Sequence, residues 1–509
     1  MGKVARDHHR RRLEKLLGHC EDEPTIRMIS AATAMLAGHA KARHLFRDAP
    51  ADAVGAKLGS PFHISPWTLE TLVNELLSAP KHRMLGRPQF PSLRYDLYDA
   101  LQLLAARTIA LEGAEDAIFL ENHDVMTEMH RIAQRQFPWQ RGVGNLPNLY
   151  RSMRFFGSGR AAHHFEASAG IPVETFVKIG MWLAGSFTDG DLVKRDTDLT
   201  PLGVSPEQRE RALALLSISH ADARTLARRV RAGSLHTAYR RSILRDHPII
   251  AFGEQGERLR CPLPALVTHR WTAGLYLDVV KGGIEVWKEI GEKFERYCFE
   301  YLSAMMGPLS VSPELTYGPK KARWRTPDVL VGDGDEIVLV AECKAKRMSF
   351  EARFADDPVA EAAAGYGEIA KGVFQIWRLF SHARRGIAGL PPVRADCLGI
   401  VLTLDSWLSL ARNQEAEVVA AANALADAEG DIAVEDRRHV AVCEIADVEY
   451  ALQHGNAETF LEACRALGGE KKGWGISIAH MSFAGAERPY PFKGRVADVL
   501  PWWRPSGDA

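Results

Sequence analysis

The sequence predicts an α+β protein of several domains, in which a mostly helical N-terminal region precedes an α/β core with helices flanking a central mixed sheet. Two observations predict this class. Up to about residue 245, apolar residues recur at the spacing of one helix face. After His247, short apolar strands alternate with amphipathic helices, which is the order of an α/β domain. The length of 509 residues suits about three domains.

The helical region is expected to cover residues 1–245, and its role stays open between sensing, partner binding and nucleic-acid binding. Its helices are predicted where apolar residues repeat at helical spacing. The predicted segments are Asp7–Leu17, Thr25–Leu36, Trp67–Leu77, Tyr95–Leu111, Pro172–Leu183 and Glu207–Leu216.

Residues 224–245 hold seven arginines and no acidic residue. One interpretation is a solvated helix face whose charges pair with acids elsewhere in the chain. The other is a surface that follows nucleic-acid phosphates, because clustered arginine supplies affinity that does not depend on base sequence. The sequence leaves both interpretations open.

A change in residue pattern after His247 places the main boundary near Gly282-Gly283. Residues 246–283 are expected to form a connector with a hairpin over 248–262 and a helix over Leu263–Val280. Residues 284–465 then follow the order helix, strand, strand, helix, strand, strand, helix. Residues 466–509, rich in Gly, Trp and Pro, are expected to form a packed C-terminal extension.

Composition excludes several classes of protein. Lysine and arginine number 64, as do aspartate and glutamate, so the chain is neither a globally basic nucleic-acid coat nor an acidic disordered protein. Seven cysteines, none in a CxxC pair, favour free thiols over a zinc ribbon or a redox motif. No segment resembles a secretory signal or reaches about 18 apolar residues. We therefore expect a cytoplasmic protein without a membrane span.

The strongest chemical signal is a predicted hairpin over residues 325–346. One strand follows Pro327-Asp328, a polar turn comes next, and an apolar strand then ends in Glu342-Cys343-Lys344. Because strand side chains alternate between faces, Glu342 and Lys344 point the same way. Pairing of the strands brings Asp328 close to Glu342. Burying the negative charge of two carboxylates at the end of a sheet is costly unless a positive charge lies nearby. A bound Mg²⁺ or Mn²⁺ would supply that charge.

This arrangement resembles the PD-(D/E)xK superfamily of restriction-endonuclease-like nucleases. The matching residues are Pro327-Asp328, Glu342-Cys343-Lys344 and a glutamate on the preceding helix, where Glu295 holds the inward-facing position. The helix after the motif carries Gln375, which is similar to a glutamine often found there in relatives. Leu379 stands where one branch has a tyrosine, so membership of that branch is not expected. The resemblance covers residues 284–465.

The resemblance implies a site with named roles. Asp328, Glu342, the backbone carbonyl of Cys343 and Glu295, directly or through water, would hold Mg²⁺ or Mn²⁺. Lys344 would orient or deprotonate the attacking water, or stabilise the developing oxyanion, and the sequence leaves these roles open. The implied catalytic set is Asp328, Glu342, Lys344, Glu295 and Gln375.

Basic residues lie on both sides of the motif, where they would meet nucleic-acid phosphates. Trp324, among the first group, is either a stacking surface for a base or a core residue. The predicted nucleic-acid contacts are Lys320, Lys321, Arg323, Lys346 and Arg347.

These observations favour a metal-dependent nuclease that hydrolyses phosphodiester bonds, most readily a DNA endonuclease. Bacterial antiphage or plasmid defence is the expected setting by analogy, and a homodimer is expected because restriction-type nucleases often act as pairs. The helical region is a candidate site for a partner protein. Two alternatives stay open, an RNA-cleaving nuclease and a non-catalytic nucleic-acid-binding or interaction subunit of a multi-component system.

Overall fold

The computed structural model of the chain describes residues 2–83, 85–86, 91–123, 125–233, 236–355, 357–408, 411–483 and 485–503. Within these ranges the protein is mixed α/β and divides into two compact units. Unit 1 comprises Met1–Asp124, Arg135–Asn145 and Ala162–Lys281, and unit 2 comprises Val125–Gln134, Leu146–Ala161 and Gly282–Ala509. Unit 2 thus takes two segments from the region predicted to be a separate helical domain over 1–245.

Helices make up most of both units. No helix among the described residues is long and apolar enough to cross a lipid bilayer. In chain order the helices are α1 (Gly2–Leu17), α2 (Asp22–Leu36), α3 (Pro66–Ser78), α4 (Tyr98–Phe119), α5 (Val125–Arg141), α6 (Leu146–Phe156), α7 (Gly159–Ala169), α8 (Val173–Asp189), α9 (Pro206–Leu216), α10 (His220–Ala232), α11 (Ile243–Asp246), α12 (Pro264–Trp271), α13 (Tyr276–Val279), α14 (Ile284–Met305), α15 (Phe350–Phe354), α16 (Pro358–Glu361), α17 (Ala363–Arg384), α18 (Arg412–Glu429), α19 (Ile445–Gln453), α20 (Ala457–Leu467), α21 (Ile476–His480) and α22 (Val496–Val499).

Strands occur in both units and are short in unit 1. In chain order they are β1 (Val193–Lys194), β2 (Ser217–Ser219), β3 (Ile249–Phe252), β4 (Arg258–Arg260), β5 (Ser310–Pro313), β6 (Thr316–Tyr317), β7 (Trp324–Arg325), β8 (Val329–Asp333), β9 (Glu336–Lys344), β10 (Val393–Thr403) and β11 (Val440–Glu444).

The six helices predicted in residues 1–245 are all present, as α1, α2, α3, α4, α8 and α9. Their boundaries differ most in α4, which continues from the predicted end at Leu111 to Phe119. Two acids in the added segment are buried. Glu112 pairs with Arg135 at 2.6 Å, and Glu115 accepts a hydrogen bond from the Thr237 hydroxyl at 2.9 Å. Tertiary partners therefore extend the helix beyond its apolar pattern.

Unit 1 also contains a four-stranded sheet of order β1-β4-β3-β2. The predicted hairpin is confirmed as β3 and β4, with Ile250 opposite Arg260. These strands occupy the middle of the sheet, so residues 246–281 belong to unit 1 and do not form a separate connector. The prediction of one continuous helix over Leu263–Val280 is wrong. The backbone dihedral angles of Thr272 are not helical, so α12 ends there.

The arginine run of residues 224–245 is mostly paired with acids inside unit 1. Five of its seven guanidinium groups contact carboxylates, while Arg228 and Arg229 are exposed. This pairing favours the first interpretation, a structural charge network. The pairs are Arg224–Asp22, Arg231–Glu14, Arg240–Glu75, Arg241–Asp246 and Arg245–Glu70.

Unit 2 is built around a five-stranded mixed sheet of order β11-β10-β9-β8-β5. The β9–β10 and β10–β11 pairs are parallel, and the β8–β9 and β5–β8 pairs are antiparallel. The predicted order of elements lacked the edge strand β5 and the helix α18. The helix is required because two parallel neighbours, β10 and β11, need a crossover connection between them. β5 was missed because Ser310–Pro313 is short and only partly buried.

Helices cover both faces of this sheet. The predicted apolar row of α17, comprising Ile369, Val373, Ile376 and Phe380, is buried against it. On the other face, Cys298 of α14 contacts Cys343 of β9. The C-terminal residues are part of unit 2, since the Tyr490 hydroxyl lies 2.8 Å from that of Tyr297 on α14.

Candidate functional site

The β8–β9 hairpin places Asp328 beside Glu342. Val329 lies opposite Ala341, so the residue before β8 is adjacent to the residue after Ala341. A tight turn at Gly334 makes this register possible, because Asp333 is opposite Glu336 and Gly334 has a positive φ of 60°. The Asp328 carboxylate accepts a hydrogen bond of 2.6 Å from the backbone N–H of Cys343. The strand pairing and this bond fix the aspartate at the end of the sheet.

Glu342 and Lys344 point to the face of the sheet that α17 covers. The Lys344 ammonium donates to Glu342 Oε1 at 2.8 Å and to Gln375 Oε1 of α17 at 3.1 Å. The helix backbone approaches closely at Gly372. A Cβ there would lie 3.3 Å from Lys344 Cε and 3.4 Å from Glu342 Cγ. The structure thus brings together Glu342, Lys344 and Gln375, and a small residue at 372 leaves room for them.

The electrostatics of this group are dominated by burial and by repulsion between acids. Burial, followed by the negative charge of Asp328, raises the pKa of Glu342 to about 7, although Lys344 opposes the shift. Burial also raises the pKa of Asp328, against the hydrogen bond from Cys343. For Lys344, burial alone would lower the pKa, but the charges of Glu342 and Asp328 outweigh it and raise the pKa. The single positive charge of Lys344 therefore interacts with the carboxylates of both Glu342 and Asp328.

Glu295 of α14 belongs to the same electrostatic group. The predicted inward-facing position of Glu295 is wrong, because the buried row of α14 contains Phe294 and Tyr297 and leaves Glu295 exposed. Loss of water around its carboxyl group, followed by repulsion from Asp328 and Glu314, nevertheless raises the pKa of Glu295 to about 7. The neighbouring glutamates of α14 differ, because Glu289 pairs with Lys293 and Glu300 pairs with Arg154, each at 2.8 Å. Of these three glutamates of α14, Glu295 is the one whose pKa the negative charge of Asp328 raises.

The donor set suits a hard divalent cation by its chemistry. Asp328, Glu342 and Glu295 offer carboxylate oxygens, and burial, followed for the two glutamates by the charge of Asp328, raises their pKa values despite Lys344. The side chains do not form a closed ligand cage, however. Across the described ranges, no three His, Cys, Asp or Glu side chains are grouped closely enough to hold a metal ion. A cation would have to compete with Lys344 for Glu342 and with the Cys343 N–H for Asp328.

Three of the predicted nucleic-acid contacts lie on one small hairpin. Residues 316–325, here called the basic hairpin, consist of β6, β7 and the turn between them. Lys320, Lys321 and Arg323 are exposed in this turn. The hairpin leaves the sheet after β5 and returns just before Asp328, so its base adjoins the carboxylate group.

The two predicted contacts after the motif have different surroundings. Lys346 is exposed, with its ammonium 5.4 Å from the centre of the Trp287 ring. Arg347 pairs at 3.0 Å with the buried Asp405, which also pairs with Arg353 at 2.6 Å. The guanidinium of Arg347 thus has a structural partner inside unit 2, whereas Lys346 faces solvent.

Trp324 packs within the basic hairpin. This position favours a core residue over a stacking surface for a base. Its ring lies 4.6 Å from that of His382, centre to centre, and 6.1 Å from that of Tyr317. His382 of α17 is buried, and its Nδ1 lies 2.7 Å from the Tyr317 hydroxyl. Burial, followed by the charge of Arg378, lowers the pKa of His382 to about 4. The hairpin folds over this part of α17, which the helix pattern alone did not reveal.

Glu314 is a member of the site that the sequence did not indicate. It follows β5 and raises the pKa of both Asp328 and Glu295 through its negative charge. Its carboxylate pairs with Arg325 of the basic hairpin at 3.0 Å. The available signal was weak, because β5 is a four-residue strand that contains two serines and a proline.

Comparisons with protein-family models, with curated proteins and with solved structures each found no match to this chain. The resemblance to PD-(D/E)xK nucleases therefore stays a prediction from the sequence motifs.

Proposed function

We propose that this protein is a metal-dependent nuclease with a restriction-endonuclease-like core in unit 2, and that DNA is its preferred substrate. One observation carries the proposal. Asp328 and Glu342 lie beside Lys344 at the end of one hairpin, Glu295 of α14 acts on Glu342 through its charge, and the pKa values of both glutamates are raised to about 7. Incompletely compensated acids beside a lysine are typical of catalytic sites. Antiphage or plasmid defence and a homodimeric state belong to the same proposal by analogy.

The acids would bind the cation. Asp328, Glu342 and the carbonyl of Cys343 would hold Mg²⁺ or Mn²⁺, with Glu295 contributing directly or through water. When bound, such a cation neutralises phosphate charge and lowers the pKa of its water. The basic hairpin would hold the phosphates on either side of the scissile bond, because Lys320, Lys321 and Arg323 are exposed close in sequence to Asp328.

The environment of Lys344 narrows its role. Because the charges of Glu342 and Asp328 raise its pKa, the side chain stays protonated at neutral pH. A protonated ammonium suits stabilisation of charge on the phosphate and orientation of water better than it suits proton abstraction. Gln375 holds this ammonium from the α17 side at 3.1 Å. We therefore assign to Lys344 the stabilisation of charge on the phosphate and the orientation of water. Gln375 would position the Lys344 side chain.

A non-catalytic nucleic-acid-binding or interaction subunit is the second candidate. The ion pair between Lys344 and Glu342, and the hydrogen bond from Cys343 to Asp328, give these acids partners within the protein. Such pairing would suit a site that has only a structural role. Dependence of cleavage on a divalent metal separates the two candidates.

The decisive experiment is cleavage of supercoiled plasmid by the full chain in Mg²⁺ or Mn²⁺. The variant Asp328→Asn keeps an acceptor for the Cys343 N–H but removes the charge, so it tests the metal site with little change of shape. We expect nicking or linearisation by the wild type, and loss of both with EDTA or in Asp328→Asn. Parallel reactions with single-stranded DNA and with RNA identify the substrate class.

A matched control comes from a second ExK match in the chain, Glu470-Lys471-Lys472. It follows α20 and precedes no strand, and Lys472 is exposed. Lys472→Ala should cleave as the wild type does. Equal cleavage of every substrate by wild type and Asp328→Asn would overturn the proposed site. Metal-independent binding without cleavage would favour the second candidate.

A further inference from the structure

The first helix of unit 1, α1, carries three consecutive arginines that have different surroundings. Arg10 is partly buried, and its guanidinium pairs with Glu75 and, at 3.2 Å, with Glu115. Arg11 and Arg12 are exposed. Because successive helical residues point about 100° apart, one arginine of the run can face the protein interior while the next two face solvent. The charge of Arg10 is therefore part of the network inside unit 1, and the other two charges are not.

Three exposed cations of α1 form one surface, here called the α1 basic stripe and defined as Arg11, Arg12 and Lys15. Lys15 is exposed and follows Arg11 by four residues and Arg12 by three, so the three side chains are neighbours on the helix surface. The apolar side of the same helix, with Leu13 and Leu17, is fully buried in the core of unit 1. The stripe is therefore on the side of α1 that faces solvent.

The two acids of α1 do not neutralise this stripe. Asp7 pairs with Arg6 at 2.9 Å, and Glu14 pairs with Arg231 of α10. Across the described ranges, no carboxylate forms an ion pair with any member of the stripe. Like charges three or four residues apart on a helix repel each other and destabilise it. An anion supplied from outside the protein would remove this repulsion.

A role in stabilising the helix end accounts for one of the three charges at most. Cations are favourable in the last turn of a helix, and Lys15 lies there, whereas Arg11 and Arg12 precede that turn. The contacts of the two arginines are long. Arg11 Nε donates to the Asp7 carbonyl oxygen at 3.3 Å, and Arg12 Nη1 lies 3.4 Å from His8 Nε2. Because a guanidinium has five N–H donors, both groups keep donors for a ligand in solvent.

A second segment adds a cation at the C-terminal end of α1. The backbone N–H of His82 donates to the carbonyl oxygen of Gly18, which directly follows the helix, at 2.9 Å. The next residue, Arg83, is exposed, and no carboxylate among the residues that the structure describes forms an ion pair with it. The positive surface of α1 thus continues beyond the end of the helix.

We propose that the α1 basic stripe and Arg83 bind the phosphate backbone of a nucleic acid without regard to base sequence. Guanidinium groups bind phosphate oxygens through parallel hydrogen bonds, and clustered cations gain affinity by releasing counterions. An anionic lipid surface fits less well, because the apolar side of α1 lies in the core of unit 1 and is not available to lipid. An acidic protein fits less well, because the stripe has no aromatic side chain to anchor it. This inference goes beyond the proposed nuclease activity, since it concerns unit 1 and shares no residue with the carboxylate group or the basic hairpin.

Fluorescence anisotropy of the full chain in EDTA, across a NaCl series, tests the proposal with labelled duplex DNA, single-stranded DNA and RNA. Cleavage is not needed, so the result does not depend on the proposed nuclease activity. The variant Arg11→Gln/Arg12→Gln/Lys15→Gln removes three charges and keeps residues that favour a helix. We expect it to weaken binding at least about tenfold and to reduce the slope of log affinity against log salt concentration by about 0.9 for each lost contact with duplex phosphate. The nucleic acid bound most tightly by the wild type identifies the preferred form.

Two further variants separate a specific contact from loss of charge or of folding. Lys41→Gln/Lys57→Gln/Lys194→Gln removes the same number of exposed charges from unit 1 and should bind as the wild type does. Arg11→Lys/Arg12→Lys keeps the charge and should retain the salt dependence. Equal affinity and slope in the two triple variants would overturn the proposal, as would absence of nucleic-acid binding by the wild type. Loss of binding to phosphatidylserine-containing vesicles in the stripe variant, with nucleic-acid affinity unchanged, would overturn it in favour of a lipid surface.

Discussion

Two buried acids, Asp22 in unit 1 and Glu342 in unit 2, differ in how their charge is compensated. In unit 1, Asp22 is buried beside Lys81, His220 and Arg224, at 2.8, 2.7 and 2.5 Å. Burial alone would raise its pKa, but these partners outweigh burial and lower the pKa of Asp22 to about 2. In unit 2, Glu342 is equally buried, yet it shares Lys344 with Asp328, and its pKa rises to about 7.

This difference distinguishes the charge network around Asp22 from the proposed metal site around Glu342. An acid surrounded by several cations is stable as a carboxylate and has no need of a further ligand. An acid in a group that has too few cations favours a proton or a metal ion. The same contrast applies to the basic residues, since the arginine run of unit 1 is mostly paired and the turn of the basic hairpin is exposed.

The largest expected effect is loss of cleavage in Lys344→Ala. Removal of the ammonium leaves the phosphate without its stabilising charge, and we expect the rate to fall about 10²- to 10⁴-fold. Single-turnover plasmid cleavage measures the effect, and circular dichroism checks the fold. Lys472→Ala is the matched control. A rate within about twofold of the wild type would place Lys344 outside the mechanism.

Neutralising one buried acid in each unit should have opposite effects on stability. Glu75→Gln in unit 1 leaves Arg10 and Arg240 without their shared counter-charge, and we expect a loss of about 3–5 kcal/mol in the free energy of unfolding. Glu342→Gln in unit 2 relieves repulsion, and at pH 8 in EDTA we expect a gain on the order of 1–3 kcal/mol. Urea denaturation of both variants measures this. Destabilisation by both to the same extent would erase the distinction between these two acids.

The pH dependence of stability should also differ between the two acids. The folded pKa of Glu342 is raised from 4.5 to about 7, so its proton is held more tightly in the folded state, and metal-free stability falls as pH rises from 4.5 to 7. The slope is at most about 1.4 kcal/mol per pH unit for one group. For Asp22 the folded pKa is lowered from 3.8 to about 2, so its contribution is present above pH 3.8 and is lost toward pH 2.

Urea denaturation in EDTA at several pH values between 4.5 and 8 tests this difference. The variant Glu295→Gln/Glu342→Gln should lose most of the decline in stability over that range. Asp22→Asn, by contrast, should keep the decline. If stability still falls to the same extent with rising pH in Glu295→Gln/Glu342→Gln, other groups cause the fall.

The smallest expected effect concerns the exposed basic residues. Lys320→Glu/Lys321→Glu should weaken nucleic-acid binding and reduce the slope of log affinity against log salt concentration by about 0.9 for each lost phosphate contact. Arg228→Glu/Arg229→Glu, which changes charge equally at the two exposed residues of the arginine run, should bind as the wild type does. Fluorescence anisotropy across a salt series measures both. Equal weakening by the two variants would favour a general charge effect over a specific role of the basic hairpin.

Much of the fold was predictable because its signals are local. Helical spacing indicated α1, α2, α3, α4, α8 and α9, and strand alternation with a Gly-rich turn indicated β8 and β9. The end of α4 at Phe119, the edge strand β5 and the crossover helix α18 were not predicted. These features depend on partners distant in sequence, such as Arg135 for Glu112, which no local pattern contains.

Some features of the candidate site were likewise predictable from local sequence, and others depended on partners distant in sequence. The pairing of Asp328 with the Glu342 strand followed from turn length and alternation. The helix pattern predicted an inward-facing Glu295, whereas the residue is exposed. Gln375 was expected at the site only through the family resemblance, and its contact with Lys344 required the packed structure. The coupling of Glu314 to Asp328 and the burial of His382 beneath Trp324 required the packed structure.

The sequence by itself determined which residues share a strand or a helix face, because backbone periodicity fixes those directions over a few residues. It thereby determined that Glu342 and Lys344 lie side by side. The tertiary structure alone decided which charges are compensated. The guanidinium of Arg240 meets Glu75, 165 residues away, whereas Lys344 is shared among acids from separate elements. Compensation depends on distance and burial in three dimensions, and these follow from packing between elements distant along the chain.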